Sequence, residues 1–127
     1  MVAIDTSSLV AYLANQRGED VELVDLAFEQ KNAVFPPVVL TELLSDSNLS
    51  REVRELFLSI PVLETSNGFW SRAGLLRASI LAKGFKARLA DALIAQSCID
   101  HNVTLITRDR DFRHFAKIGR LRVMGSE

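Results

Sequence analysis

Four acids stand far apart in this chain at places where an acid is costly. The apolar run Val2-Ala3-Ile4 leads straight into Asp5-Thr6-Ser7-Ser8, and Leu105-Ile106 leads through Thr107-Arg108 into Asp109-Arg110-Asp111-Phe112. Two short apolar strands that each end in a carboxylate suggest a parallel sheet, and ligands of open α/β sheets bind outside the C-terminal strand ends. Taken singly, Asp5 and Asp109 also read as N-caps of the helices that follow.

Glu42 lies in Val38-Val39-Leu40-Thr41-Glu42-Leu43-Leu44. At about 100° per residue, with Val38 at zero, Val39 falls near ~100° and Glu42 near ~40°, between two apolar side chains. A carboxylate there must be paired, protonated or bound to a cation, because burying it bare costs too much. The alternative is a boundary position from which Glu42 reaches solvent beside Asp46. Asp91 repeats the pattern: its helical neighbours Ile94, Ala95 and Cys98 are apolar or nearly so, while Gln96 and Asp100 lie on a solvated side. The helix dipole favours an acid in a first turn. That accounts for an Asp near the start, but not for its sharing the apolar stripe.

If the two strands are central neighbours, Asp5, Glu42, Asp91 and Asp109 form one set. Clustered carboxylates raise one another's pKa values unless a cation neutralises them. Oxygen ligands without Cys or His favour Mg²⁺ or Mn²⁺ over zinc. Other chemistries are weaker. The six glycines are dispersed and form no phosphate loop. His101 and His114 lack ligand spacing and read as surface helix residues, Cys98 reads as core, and Ser7 and Ser8 have no evident His base.

The elements that must position these acids alternate. Residues 2–5 read as a strand, and Thr6, Ser7 and Ser8 open a helix carrying Leu9, Val10, Tyr12 and Leu13. A second helix starts at Asp20, with Val21, Val24, Ala27 and Phe28 inward and Glu19, Glu22, Asp25 and Glu29 outward. Residues 33–35 form a short strand stopped by Pro36-Pro37, and Pro37 suits a helix start. Helices are expected at 38–44, from Ser50 to near Ile60, from Asn67 or Gly68 to the break at Gly84, and at 89–101. Residues 61–64 are a candidate third strand, 104–106 another strand, and 121–123 an edge strand, with a short helix around Phe112, Phe115 and Ile118. This order predicts βαβ units and a parallel sheet. Apolar side chains near Leu9, Tyr12 and Phe57 serve as core or as a dimer seam.

The 127 residues make one domain by length, large enough to bury roughly two thirds of the unfolded surface without a staple. A single cysteine forms no internal disulfide, so cytosol is the default compartment. Met1-Val2-Ala3-Ile4-Asp5 has no basic n-region of a signal peptide, and no apolar run approaches the ~18 residues of a membrane helix. The net charge of −1 argues against a polyanionic partner, but its distribution does not. Residues 1–64 carry 4 Lys+Arg against 11 Asp+Glu, and residues 65–127 carry 11 against 5, giving −7 and +6. Such a split suggests a polyanion on one face, or two sets of solvated helices.

Four segments, Ile4-Asp5-Thr6-Ser7, Pro36-Pro37-Val38-Val39-Leu40-Thr41-Glu42-Leu43, Leu89-Ala90-Asp91-Ala92-Leu93-Ile94-Ala95 and Leu105-Ile106-Thr107-Arg108-Asp109-Arg110-Asp111-Phe112, resemble in order and spacing the PIN-domain ribonucleases, specifically VapC-type toxins of type II toxin–antitoxin systems. The likeness runs almost end to end. It implies an α/β, three-layer α/β/α fold over residues 1–127, with a central parallel sheet of four to five strands. It also implies a Mg²⁺- or Mn²⁺-dependent RNA endonuclease. Asp5, Glu42, Asp91 and Asp109 match the acidic cluster, with Asp5 and Asp91 as direct metal ligands. Thr6 and Thr107 match supporting positions, and Asp111 matches an acid that is often present. Ser8 departs from an aliphatic position and leaves the site untouched. A homodimer is implied, held by an antitoxin whose C-terminal segment crosses the active-site groove.

The expected reaction is phosphodiester hydrolysis, in which bound metal lowers the pKa of a water and offsets transition-state charge. Arg72, Arg77, Lys83, Lys86, Arg88, Arg108, Arg110 and Arg113 would steer RNA, or serve as solvated surface or antitoxin contacts. The competing reading is a catalytically idle module holding RNA or a protein in the same groove. A phosphoacceptor receiver domain also clusters acids at strand ends, but wants a Lys where Thr107-Arg108 stands.

Overall fold

Two apolar runs from opposite ends of the chain form the centre of the sheet. In the computed structural model, which describes residues 1–126, β1 (Val2–Ile4) pairs with β2 (Ala33–Val34) and β3 (Thr104–Ile106), and β3 pairs with β4 (Val123–Met124). All three pairings are parallel, and the order is β2-β1-β3-β4. Glu127, counted in the sequence-read charge and domain range, lies outside the described residues. Ala3, Ile4, Leu105 and Ile106 are buried, as central parallel strands covered on both faces require.

Among the described residues, seven helices flank the sheet in three α/β/α layers: α1 (Thr6–Leu13), α2 (Glu19–Glu29), α3 (Pro37–Leu44), α4 (Arg51–Ser59), α5 (Phe69–Ala82), α6 (Leu89–His101) and α7 (Arg113–Gly119), the last preceded by a 3₁₀ turn at Arg110–Phe112. Ser50 caps α4 by accepting from the Val53 N–H at 3.2 Å. The α6 bounds coincide with the apolar run read from the sequence.

Two expectations are corrected and one open alternative is resolved. The strand read at 61–64 is a single parallel bridge, Phe35 to Val62, in which the Phe35 N–H donates to the Pro61 carbonyl at 2.9 Å. Prolines 36, 37 and 61 lack the N–H groups that a longer ladder would need. Leu9 and Phe57 are core rather than seam, and Tyr12 is half-buried. Gln96 is buried, not solvated, because α5 covers that side of α6; its amide donates to Asp100 at 2.8 Å, and Arg72 from α5 donates to both Asp100 oxygens at 3.0 and 2.6 Å. Cys98 is core as read. Among the described residues, no helix is long and apolar enough to cross a membrane.

The topology selects one crevice. From β1 the chain turns to β2 on one side and later returns to β3 on the other, so the strand order reverses between β1 and β3. Side chains just beyond Ile4 and Ile106 therefore flank the switch point.

Candidate metal centre and active site

The register Ile4↔Ile106 sets Asp5 beside Thr107. The Asp5 N–H donates to the Ile106 carbonyl at 2.9 Å, extending the ladder one residue past β1. Asp5 occupies the N-cap position of α1 but makes no side-chain cap bond. Its Oδ2 instead accepts from the Ser7 and Thr107 hydroxyls, each at 2.8 Å. Thr107 is fully buried, and its Oγ1 also accepts from the Asp109 N–H at 3.0 Å. Asp109 does cap the following turn, accepting from the Asp111 N–H at 2.9 Å.

Asp91 enters from α6. That helix leads down into β3, so its N-terminal turn lies at the edge where β1 and β3 end. Carboxylate oxygens of Asp91, Asp109 and Asp111 lie within 4.8 Å of one another. Asp91 Oδ2 is buried and has no hydrogen-bond partner. A buried carboxylate oxygen without a donor is costly unless protonated or bound to a cation. Burial, reinforced by Asp109 and Asp5 and partly offset by Arg88, pushes the Asp91 carboxyl up to about 6. Burial also raises Asp5, against the lowering pull of its two hydroxyl donors.

Glu42 is held differently. Its side chain is exposed, and its Oε1 accepts from Thr6 Oγ1 at 2.8 Å, one residue from Asp5. It thus belongs to the rim rather than to the tight group, and Asp111, a supporting position in the sequence reading, lies inside that group. Among residues expected to steer RNA, three donate hydrogen bonds within the protein. Arg108 donates to both Asp20 oxygens at 2.8 and 3.1 Å and to Gln16 at 2.6 Å. Arg72 is taken by Asp100, and Arg77 donates to the Ala87 carbonyl at 2.8 Å.

No motif or spacing signals the Arg108–Asp20 pair. Asp20 is buried beneath it; burial alone would raise its carboxyl, but the guanidinium outweighs this and holds it below the ordinary range. Gly18 makes room for the pair: its φ is +152°, and a Cβ there would lie 3.0 Å from Arg108 Nη2.

The raised Asp91 carboxyl fixes a sign. Between the ordinary 3.8 and about 6, the folded state binds more protons at this group than the unfolded state. The stability this confers is present below pH ~4 and lost as pH rises through ~6. In chelator, the melting temperature of the wild type relative to Asp91→Asn should fall across that window. A constant difference would contradict the buried, unpaired state of Asp91.

The sequence and the fold both match known proteins. A family model for the PIN domain matches residues 2–118. The chain belongs to the PIN-domain family. VapBC2 from Rickettsia felis, solved with a DNA fragment from its promoter, is similar at 25% identity and a TM-score of 0.68, covering 98% of each chain. FitAcB from Neisseria gonorrhoeae matches at 18% identity and a TM-score of 0.70, over 98% of this chain and 96% of its own. A toxin–antitoxin complex from Klebsiella pneumoniae matches at 20% and 0.69, over 100% and 98%. The last two show the fold alone. A search of the curated proteins finds no significant match.

Proposed function

We propose that this protein is a divalent-metal-dependent RNA endonuclease acting as the toxin of a toxin–antitoxin pair in the cytoplasm, its 127 residues forming a single PIN-like domain. The observation that carries the metal is the partnerless Asp91 Oδ2 inside a group of three carboxylates. This donor set suits Mg²⁺ or Mn²⁺, since every ligand is a hard oxygen. Asp91 and Asp5, with Asp109 and Asp111 beside them, would hold the ion. Once bound, such an ion lowers the pKa of a water and offsets charge on the phosphate.

The protein's own groups do the positioning. Thr107 locks Asp5 and the Asp109 backbone into one arrangement, so neither needs to reorganise when substrate arrives. Thr6 fixes Glu42 at the solvent side, where its carboxylate orients the attacking water. Lys83, Lys86, Arg88, Arg110 and Arg113 are exposed, with Lys86 3.8 Å from Asp111, and supply the electrostatic attraction for RNA.

An antitoxin partner is supported by the relatives, of which one was solved as a toxin–antitoxin complex and another belongs to the VapBC family of toxin–antitoxin systems. A groove of about 400 Å³ lined by Thr6, Val10, Leu13, Glu42, Leu43 and Phe57 runs from the rim of the site and offers an apolar seat for an antitoxin segment. Trp70 and Leu75 on α5 are 68% and 72% exposed, which supports a second copy of the chain against that helix.

The test is cleavage of total RNA with fragment ends mapped. Cutting at defined positions with Mg²⁺ or Mn²⁺, abolished by chelator and restored by added metal, is the expected result. Intact RNA with either metal, or cutting unaffected by chelator, would contradict the assignment.

A further inference from the structure

Beside the acidic group lies a feature that the proposed hydrolysis does not use. Phe85, in the loop between α5 and α6, stacks on His114 of α7, with ring centroids 4.2 Å apart and planes 11° from parallel. Phe85 is 39% exposed and lies outside the buried core. With Lys83, Lys117 and Ile118 it lines an open cleft of about 540 Å³.

The charge around this cleft is one-sided. Residues 83–88 and 110–120 carry seven cations, Lys83, Lys86, Arg88, Arg110, Arg113, Lys117 and Arg120, against one acid, Asp111. That acid belongs to the carboxylate group, and Lys86 Nζ lies 3.8 Å from it. Phe85 is thus the sequence neighbour of a lysine that reaches the acids, and the chain around the aromatic pair is rich in cations.

Resting on the nuclease reading, we propose that this cleft is a base-stacking subsite for single-stranded RNA, one step removed from the scissile phosphate. A base laid on Phe85 extends the Phe85–His114 stack by one ring, while Lys83 and Lys117 neutralise the phosphates on either side. Such platforms tolerate any base, because every base has a π-face. The phosphate next to the stacked base then leads past Lys86 toward Asp111, which sets the register of the strand across the carboxylates. Charge complementarity and continuity with the acids favour RNA over an apolar partner segment.

Binding of a fluorescent single-stranded RNA of about twelve nucleotides, measured by anisotropy in chelator, tests the subsite apart from catalysis. Phe85→Leu should weaken binding about tenfold, equivalent to about 1.4 kcal/mol, with the salt dependence unchanged. Lys83→Ala and Lys117→Ala should each lower the slope of log K against log salt by about 0.7. On cleavage, Phe85→Leu should raise KM for the long RNA and leave cutting of a dinucleotide as in the wild type. Wild-type binding by both the Phe85 and the lysine variants would overturn the subsite, whether or not the protein cuts RNA. Phe85-dependent binding by a protein that cuts nothing would uphold the subsite and sink the nuclease reading. A change in mass by light scattering on Phe85→Leu, or equal Phe85 dependence for an acidic peptide, would assign the cleft to another protein surface and overturn the proposal.

Discussion

Asp91→Asn should cut metal-dependent RNA cleavage by about a hundredfold or more, since even residues that only support metal ligands typically cost 10–100-fold. The substitution is isosteric and removes the charge on the oxygen that no protein donor satisfies. In the metal-free protein that charge is a burden, because burial, with Asp109 and Asp5, pushes the Asp91 carboxyl up to about 6. The variant should therefore fold as well as the wild type, or better, in chelator. It should lose only the stabilisation that Mn²⁺ or Mg²⁺ adds to the wild type. An inactive but unfolded variant would point instead to a structural acid. Near-wild-type cleavage would remove Asp91 from the proposed machinery.

Arg108→Ala is expected to be the most damaging substitution to the fold outside the apolar core. Arg108 ties the strand-end segment of β3 to Asp20 at the start of α2, and also reaches the Arg17 carbonyl at 3.1 Å. Its removal leaves the buried Asp20 carboxylate without a counter-charge. Breaking one partner of a buried pair costs about 3–5 kcal/mol. The Arg108 side chain is 32% exposed against 3% for Asp20, which sets the expectation at the lower end. For a chain of this size that corresponds to a fall of roughly 10 °C in melting temperature. Arg108→Lys should recover only part of it, because an ammonium cannot match the two-oxygen contact. A loss under about 1 kcal/mol would show that water satisfies Asp20 and that the pair is ornamental to stability.

The acids at strand ends were legible because a carboxylate following a buried run has few structural reasons to be there. Asp91 was legible because the 3.6-residue period sets it on the apolar stripe of α6. The same reasoning misread Gln96, since periodicity treats polar positions as solvated and cannot anticipate a second helix with an arginine to satisfy them. Glu42 resolves toward the solvent alternative, yet the hydroxyl that holds it is 36 residues away in sequence. Arg108 shows the limit most plainly. Among charged neighbours in Arg108-Asp109-Arg110-Asp111, nothing local says which arginine turns inward to an acid 88 residues distant. The Phe85–His114 stack is hidden for the same reason: contacts between side chains of separate elements leave no spacing signature.

Mn²⁺ binding followed by electron paramagnetic resonance, on wild type, Asp91→Asn and Asp5→Asn at pH above 7, addresses the carboxylate group most directly. The expected outcome is saturable Mn²⁺ uptake by the wild type, displaced by Mg²⁺ and weakened at least tenfold in both variants, each still folded by circular dichroism. Wild-type protein that leaves Mn²⁺ free in solution, or variants that bind it equally well, would mean that these acids do not share an ion.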